Sequence, residues 1–182
     1  FAQYHHSAMK NVINVRKNLA TKTIFNLLGP LTNPANAKNQ LLGVFDKKWL
    51  KIHCESLNEL GSNRAMIVHG IDGLDEITLT NNTLVCELKN NKIIEYIFNP
   101  NDFGYEYINI EEIIGGEPKY NAKCFLKMLD GEYKKFQKII ELNAGAALYL
   151  SNIANNLKEG FEIAKKTIDE GVTKKYLNEL IK

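Results

Sequence analysis

Arginine is almost absent from this 182-residue chain: of 23 basic residues only Arg16 and Arg64 are arginine, and lysine supplies the rest. Where lysine serves nearly every basic position, each arginine raises the question of what its planar fork is for. Charge of one sign is lacking too. A formal net charge of +2 is too small to imply nucleic acid or an anionic membrane as partner. No apolar stretch approaches the roughly 18–20 residues a membrane span needs; runs such as "AGAALYL" are far shorter. Cysteine is sparse. Cys54, Cys86 and Cys124 form no CxxC pair, so neither a disulfide framework nor a zinc site is indicated, and buried thiols in a reducing cytoplasm are expected. The opening "FAQYHHSAMKNVINVRKN" has no initiator methionine, and His5, His6 and Lys10 interrupt the apolar core that a secretory signal requires.

What is present is ordinary globular material, 45% hydrophobic and 24% charged, enough for one domain with a sizeable core. Residues 3–14 are predicted as a short helix, and "TIFNLLGPL" (23–31) as a second, closed by Gly29-Pro30 and the turn-rich "TNPANAKN". "QLLGVF" (40–45) and "RAMIVHG" (64–70) read as buried strands, with a helix between them capped by Asp46 and ended by Gly61. Strand, helix, strand is the pattern of a βαβ unit in a parallel sheet. In residues 83–99 two β-rich runs flank "KNN", which predicts an antiparallel hairpin. Further helices are expected over 110–115, 120–130, 132–153, 157–169 and 173–181, broken at Gly131, Asn155-Asn156 and Gly171.

The segment "VHGIDGLDEIT" (68–78) carries the most chemistry: a buried strand feeds a glycine-containing loop that ends in adjacent carboxylates, Asp75 and Glu76. Ligands of open parallel sheets bind beyond the carboxyl ends of the strands. Mg²⁺, an oxygen-seeking ion commonly held by one or two carboxylates plus substrate phosphates, suits such a pair. An exposed acidic dipeptide with no ligand is the plainer reading. At Gly29 and Pro30, backbone freedom followed by rigidity could form a pocket wall or merely stop a helix. His5 and His6 point in different directions and have no third ligand near in sequence, so metal is disfavoured there; a substrate contact or a helix start remain. Arg16, ten residues after His6, could share its pocket and pair a planar carboxylate, or form a surface ion pair. His53 falls on the apolar face of its helix and is expected in the core; the Lys/Glu-rich stretch 157–182 reads as a solvated amphipathic tail.

In this order, "HHSAMKNVINVRKNL", "TIFNLLGPLTNPA", "QLLGV", "HGIDGLDEIT", "NPNDFG" and "LNAGAALYL" resemble the anthranilate phosphoribosyltransferase family of tryptophan biosynthesis over essentially the whole chain. The resemblance implies an α/β fold: a central sheet, largely parallel with an antiparallel hairpin, wrapped by helices in the manner of the nucleoside phosphorylase/phosphoribosyltransferase C-terminal domain. It implies transfer of the phosphoribosyl group of phosphoribosyl pyrophosphate to anthranilate, with release of pyrophosphate and with Mg²⁺ as cofactor. By the same resemblance Arg16 would bind the anthranilate carboxylate, His6 would line that pocket, and Gly29 and Pro30 would form the turn packing beside the aromatic ring. Asp75 and Glu76 would be the acidic pair for the Mg²⁺–pyrophosphate group. Ser7 stands where the family commonly has proline. No catalytic proton acceptor is assigned.

The family's "GTGGD"-type loop and "GNRS"-like segment are nowhere in this chain. Residues 1–182 are therefore expected to be one incomplete α/β domain, the N-terminal helical domain and the first part of the α/β domain being absent. This chain alone is expected to be inactive. The family likeness further implies a cytoplasmic homodimer, joined through that helical domain, with no nucleic-acid or membrane partner. Two rivals are carried: a fold-related pyrimidine nucleoside phosphorylase or nucleic-acid-binding paralogue, and a non-catalytic domain that binds a partner through its helical C-terminus.

Overall fold

Runs apolar on both faces become buried strands, and the run 64–70 lies inside a mixed sheet. The computed structural model describes residues 18, 21 and 24–181. The predicted helix over 3–14, with His5, His6 and Arg16, lies outside the described residues. From the amino end come α1 (Phe25–Leu31), β1 (Asn39–Gly43), α2 (Trp49–Glu59), β2 (Arg64–Gly70), β3 (Thr83–Lys89) and β4 (Lys92–Phe98). Two short 3₁₀ turns follow, Pro100–Phe103 and Ile110–Glu112, and then α3 (Pro118–Leu129), α4 (Lys134–Leu150), α5 (Leu157–Asp169) and α6 (Val172–Leu180).

The described strands form one sheet in the order β1-β2-β3-β4. β1 and β2 are parallel, with Leu41 opposite Met66, and α2 is their crossover. β2–β3 and β3–β4 are antiparallel, so the parallel part among the described strands is a single pair. The expected hairpin is β3–β4. Its two turn residues, Asn90 and Asn91, both have positive φ (52° and 59°), the geometry that matches the twist of the flanking strands.

Alternate residues of β2 serve two cores. Ala65 and Ile67 pack with Leu50, Cys54 and Leu57 of α2, whereas Met66 and Val68 pack with Leu142, Ala146 and Leu150 of α4. Coverage of both faces is why "RAMIV" is apolar throughout rather than alternating. α4 and α5 cross closely at Gly145 and Gly160, where an added Cβ on either glycine would run into the backbone of the other helix. Phe161 seals that crossing, edge-on to Phe98, Phe103 and Tyr105. A smaller cluster of Met128, Leu129 and Ile168 joins α3 and α6 to the α4–α5 pair.

Several expectations need correction. Gly29-Pro30 is not a turn: both residues lie inside α1, and the helix closes one residue later, where Thr32 returns its N–H and its hydroxyl to the Leu28 carbonyl at 3.0 Å each. Pro30 has no N–H to give to the helix ladder, and α1 ends one residue after it. The helix predicted over 110–115 is a single 3₁₀ turn. Six residues that end in Gly115 and are followed at once by Gly116 cannot recover the cost of helix nucleation. α3 starts earlier than predicted, with Pro118 in its first turn, a position that needs no N–H. α4 stops at Leu150 because Ser151 caps it and Asn152 turns left-handed at φ 61°. Cys54 and Cys86 are free and buried as expected, but Cys124 is partly exposed.

Candidate metal and substrate site

The chain leaving β2 is held in place by its own side chains. Gly70 N–H donates to the Leu74 carbonyl (2.7 Å) and Gly73 N–H to the Gly70 carbonyl (2.8 Å), which curls residues 70–74 tightly. Asp72 is committed to that curl. Its Oδ1 accepts the Leu74 N–H at 3.0 Å, and its Oδ2 accepts the hydroxyls of Thr78 (2.6 Å) and Thr80. This carboxylate organises the loop.

Beyond it, Asp75 is exposed and Glu76 half-buried, both past the carboxyl end of β2 as the sequence predicts. Burial pushes the Glu76 carboxyl above the usual carboxylate range, and the charges of Asp75 and Asp72 push it the same way. Three negative groups on one short loop are a cost that a bound cation would relieve. Glu76 lines a cavity of about 200 Å³ with Asn143, Ile113, Phe136, Ile139 and Ile140. The loop also rests on β1: a Cβ at Gly43 would overlap the Asp75 carbonyl, so only glycine lets the two backbones touch. His69, near the end of β2, sets its Nδ1 2.8 Å from the Val44 carbonyl and ties the β1–α2 connection to the same region.

Among the described residues no three His, Cys, Asp or Glu side chains converge as a metal cluster. Two hard carboxylates without a third described ligand suit Mg²⁺, which keeps waters and takes phosphate oxygens, better than zinc.

Other candidates fall elsewhere. Gly29 and Pro30 sit in the last turn of α1, where a Cβ on Gly29 would meet no described atom. His53 is a core residue, as predicted. It is 2% exposed, and its ring nitrogens lie 3.0 and 3.1 Å from the carbonyls of Trp49 and Leu27, joining α2 to α1. A larger groove, about 590 Å³, runs between α4, α5 and residues 103–105, rimmed by Lys134, Lys138, Lys158 and Lys165. Its size exceeds that of the Glu76 cavity, but two of its three carboxylates are already engaged: Glu141 accepts from Tyr105 and Gln137, and Asp169 pairs with Lys134. Sequence reasoning missed Asp72, Gly43 and Asn143 as parts of the site. All three stand inside motifs named above, Gly43 in "QLLGV", Asp72 in "HGIDGLDEIT" and Asn143 in "LNAGAALYL", but nothing local signals the reach of Asn143 from α4.

Comparison with known proteins bears on the family and the fold. The model of the "Glycosyl transferase family, a/b domain" matches residues 1–174. An anthranilate phosphoribosyltransferase from Thermoanaerobacter sp. (strain X514) is 47% identical over 181 residues, covering 100% of this chain and 54% of the relative. The crystal structure of anthranilate phosphoribosyltransferase from Thermus thermophilus superposes with a TM-score of 0.80 at 37% identity, covering 91% of this chain and 49% of that one. The Saccharomyces cerevisiae enzyme in complex with PRPP and Mg does so with a TM-score of 0.80 at 29% identity, covering 91% and 48%. The chain thus spans about half the length of the relatives it matches.

Proposed function

This chain belongs to the glycosyl transferase family through its a/b domain, and from that membership we propose that it serves the transfer of a phosphoribosyl group from phosphoribosyl pyrophosphate to anthranilate. The observation that carries the proposal is the loop beyond β2, where Asp75 and half-buried Glu76 stand together, and burial and the like charge of Asp75 push the Glu76 carboxyl up. The relatives' names supply the substrates, and the yeast complex supplies PRPP and Mg as its own ligands. The complete reaction is proposed for a protein of the relatives' length.

In this reading Asp75 and Glu76 hold Mg²⁺. Bound there, the ion would offset charge on the departing pyrophosphate. The protein's own part is positioning. Asp72 and the backbone of Gly43 set the height of the acidic pair, and the apolar wall of Ile113, Phe136 and Ile140 beside Glu76 limits water on one side. Arg16 would take the anthranilate carboxylate in a two-point pair and His6 would line the same pocket; both stand outside the described residues. Gly29, where a side chain would meet no described atom, would let a flat ring approach α1 beside Pro30. An arylamine is neutral near pH 7, so the attack needs orientation more than a strong base. A cytoplasmic homodimer with no nucleic-acid partner completes the proposal. Among the described residues, no helix is long and apolar enough to cross a membrane.

The test is calorimetric titration of Mg²⁺, with and without phosphoribosyl pyrophosphate, into wild type and an Asp75→Asn/Glu76→Gln variant. The variant should lose the Mg²⁺-dependent part of phosphoribosyl pyrophosphate binding and retain anthranilate binding. Equal Mg²⁺ affinity in the two proteins would remove the metal assignment. Fluorescence depletion of anthranilate in the presence of phosphoribosyl pyrophosphate then checks turnover.

A further inference from the structure

Asn143 projects from α4 onto the residue that follows Glu76. Its Oδ1 accepts the Ile77 N–H at 3.0 Å, and its Nδ2 donates to the Ile77 carbonyl at 2.8 Å and to the Ile139 carbonyl at 3.0 Å. The partners fix the orientation of the amide, because one is a donor and two are acceptors, and reversing it would set like against like three times. Both Nδ2 hydrogens are thereby used. Ile77 is 1% exposed, so water does not offer its backbone an easy substitute. No other side chain reproduces this grip. Aspartate lacks the donors, serine cannot span the distance, and glutamine reaches one methylene too far.

The consequence lies one residue upstream. The acidic pair is strung between two anchors, with Asp72 holding residues 74, 78 and 80 from within the loop and Asn143 holding residue 77 from the helix. Asn143 also lines the cavity beside the Glu76 side chain. Fixing both polar groups of Ile77 fixes the plane through which Glu76 is attached and limits where its carboxylate can point.

We infer that Asn143 is a positioning residue for the acidic pair, acting on the cation through Ile77 and Glu76 rather than by touching it. The inference rests on the reading of Asp75 and Glu76 as the metal-holding residues. Partners that orient metal ligands typically change metal affinity about ten- to a hundredfold when removed.

The test uses Mn²⁺ alone as the probe, its binding to the full-length protein followed by electron paramagnetic resonance, with a thermal melt of each variant. Asn143→Gln keeps an amide but displaces it, and Asn143→Leu keeps the shape but removes the bonds. Both should weaken Mn²⁺ binding about tenfold or more while the protein remains folded. A merely structural asparagine would lower the melting temperature and leave the affinity of the folded protein unchanged, and that result overturns the inference. Asp75→Asn/Glu76→Gln serves as reference. If it binds Mn²⁺ like wild type, the metal reading fails and the inference falls with it. If it loses Mn²⁺ while both Asn143 variants keep it, the positioning role alone falls. Should Asn143→Leu not fold, Asn143→Gln decides. Wild type offers an independent check by reciprocity: saturating Mg²⁺ should slow hydrogen exchange of the Ile77 amide, and an unchanged rate counts against the coupling.

Discussion

The two ends of β2 handle charge in opposite ways. At the amino end Arg64, 8% exposed, stacks its guanidinium 4.1 Å from the centre of the Tyr149 ring. Its Nη1 donates to the Tyr149 carbonyl and to Asn152 Oδ1, each at 2.6 Å. Glu87, 4% exposed, lies 3.9 Å from the guanidinium and accepts hydroxyls from Tyr149 (2.8 Å) and Tyr96 (3.0 Å). Burial and the Glu87 charge push the Tyr96 phenol up, so it stays a donor. Each charge there has an opposite or a donor. Beyond the other end, the same strand runs into Asp72, Asp75 and Glu76, like charges gathered on one loop. A charge matched inside the fold stabilises shape; one left unmatched at a strand end is available to a ligand.

The largest effect should come from breaking the matched end. Glu87→Leu strands a buried guanidinium and removes the acceptor of two tyrosine hydroxyls, at a cost of about 3–5 kcal/mol in denaturant unfolding. Retention of wild-type stability would mean that the buried pair contributes nothing. Next is the backbone contact beneath the acidic loop. Gly43→Ala must push the Asp75 carbonyl away, costing roughly 1–3 kcal/mol and weakening Mg²⁺ binding along with stability, as calorimetry on folded protein would show.

A smaller effect, of opposite sign, sharpens the contrast. The raised Glu76 carboxyl means that the folded state holds its proton more tightly than the unfolded chain does. Native stability contributed by this group therefore rises as pH falls through the raised value, and the ionised form weakens the fold above it. Without metal, Glu76→Gln should melt higher than wild type near neutral pH. The gap should close as pH falls toward the ordinary glutamate value of about 4.3. A gap that widened on acidification would contradict the assignment of strain to this loop. The smallest change is at the turn beyond the matched end. In Asn91→Gly, relief of left-handed strain, about 1 kcal/mol, is nearly offset by the extra freedom of glycine in the unfolded chain. A shift under about 0.5 kcal/mol is expected in thermal melts.

Much of this molecule was legible from local pattern. The strand runs 40–45 and 64–70, the hairpin around "KNN", the helix over 157–169 and the acidic pair past a strand end all follow from periodicity and turn chemistry acting within a few residues. Where local signals competed, the reading slipped. Gly29-Pro30 looks like a stop, but it completes a last helical turn, and 110–115 is apolar enough for a helix but too short to nucleate one.

What the linear chain determined is therefore the order of elements and the chemistry carried by each loop. The rarity of arginine singled out Arg64, but its partners, Glu87 on β3 and Tyr149 on α4, came only from the pairing of β2 with β3 and the packing of α4 on the sheet. The same holds at the other end. Gly43 meets Asp75 because parallel pairing of β1 with β2 brings the two strand ends together, and Asn143 reaches Ile77 across 66 residues because α4 covers that face. Hydrogen bonds and close contacts of this range depend on where whole elements dock, and docking is decided by the joint burial of many side chains rather than by any neighbouring pair in sequence.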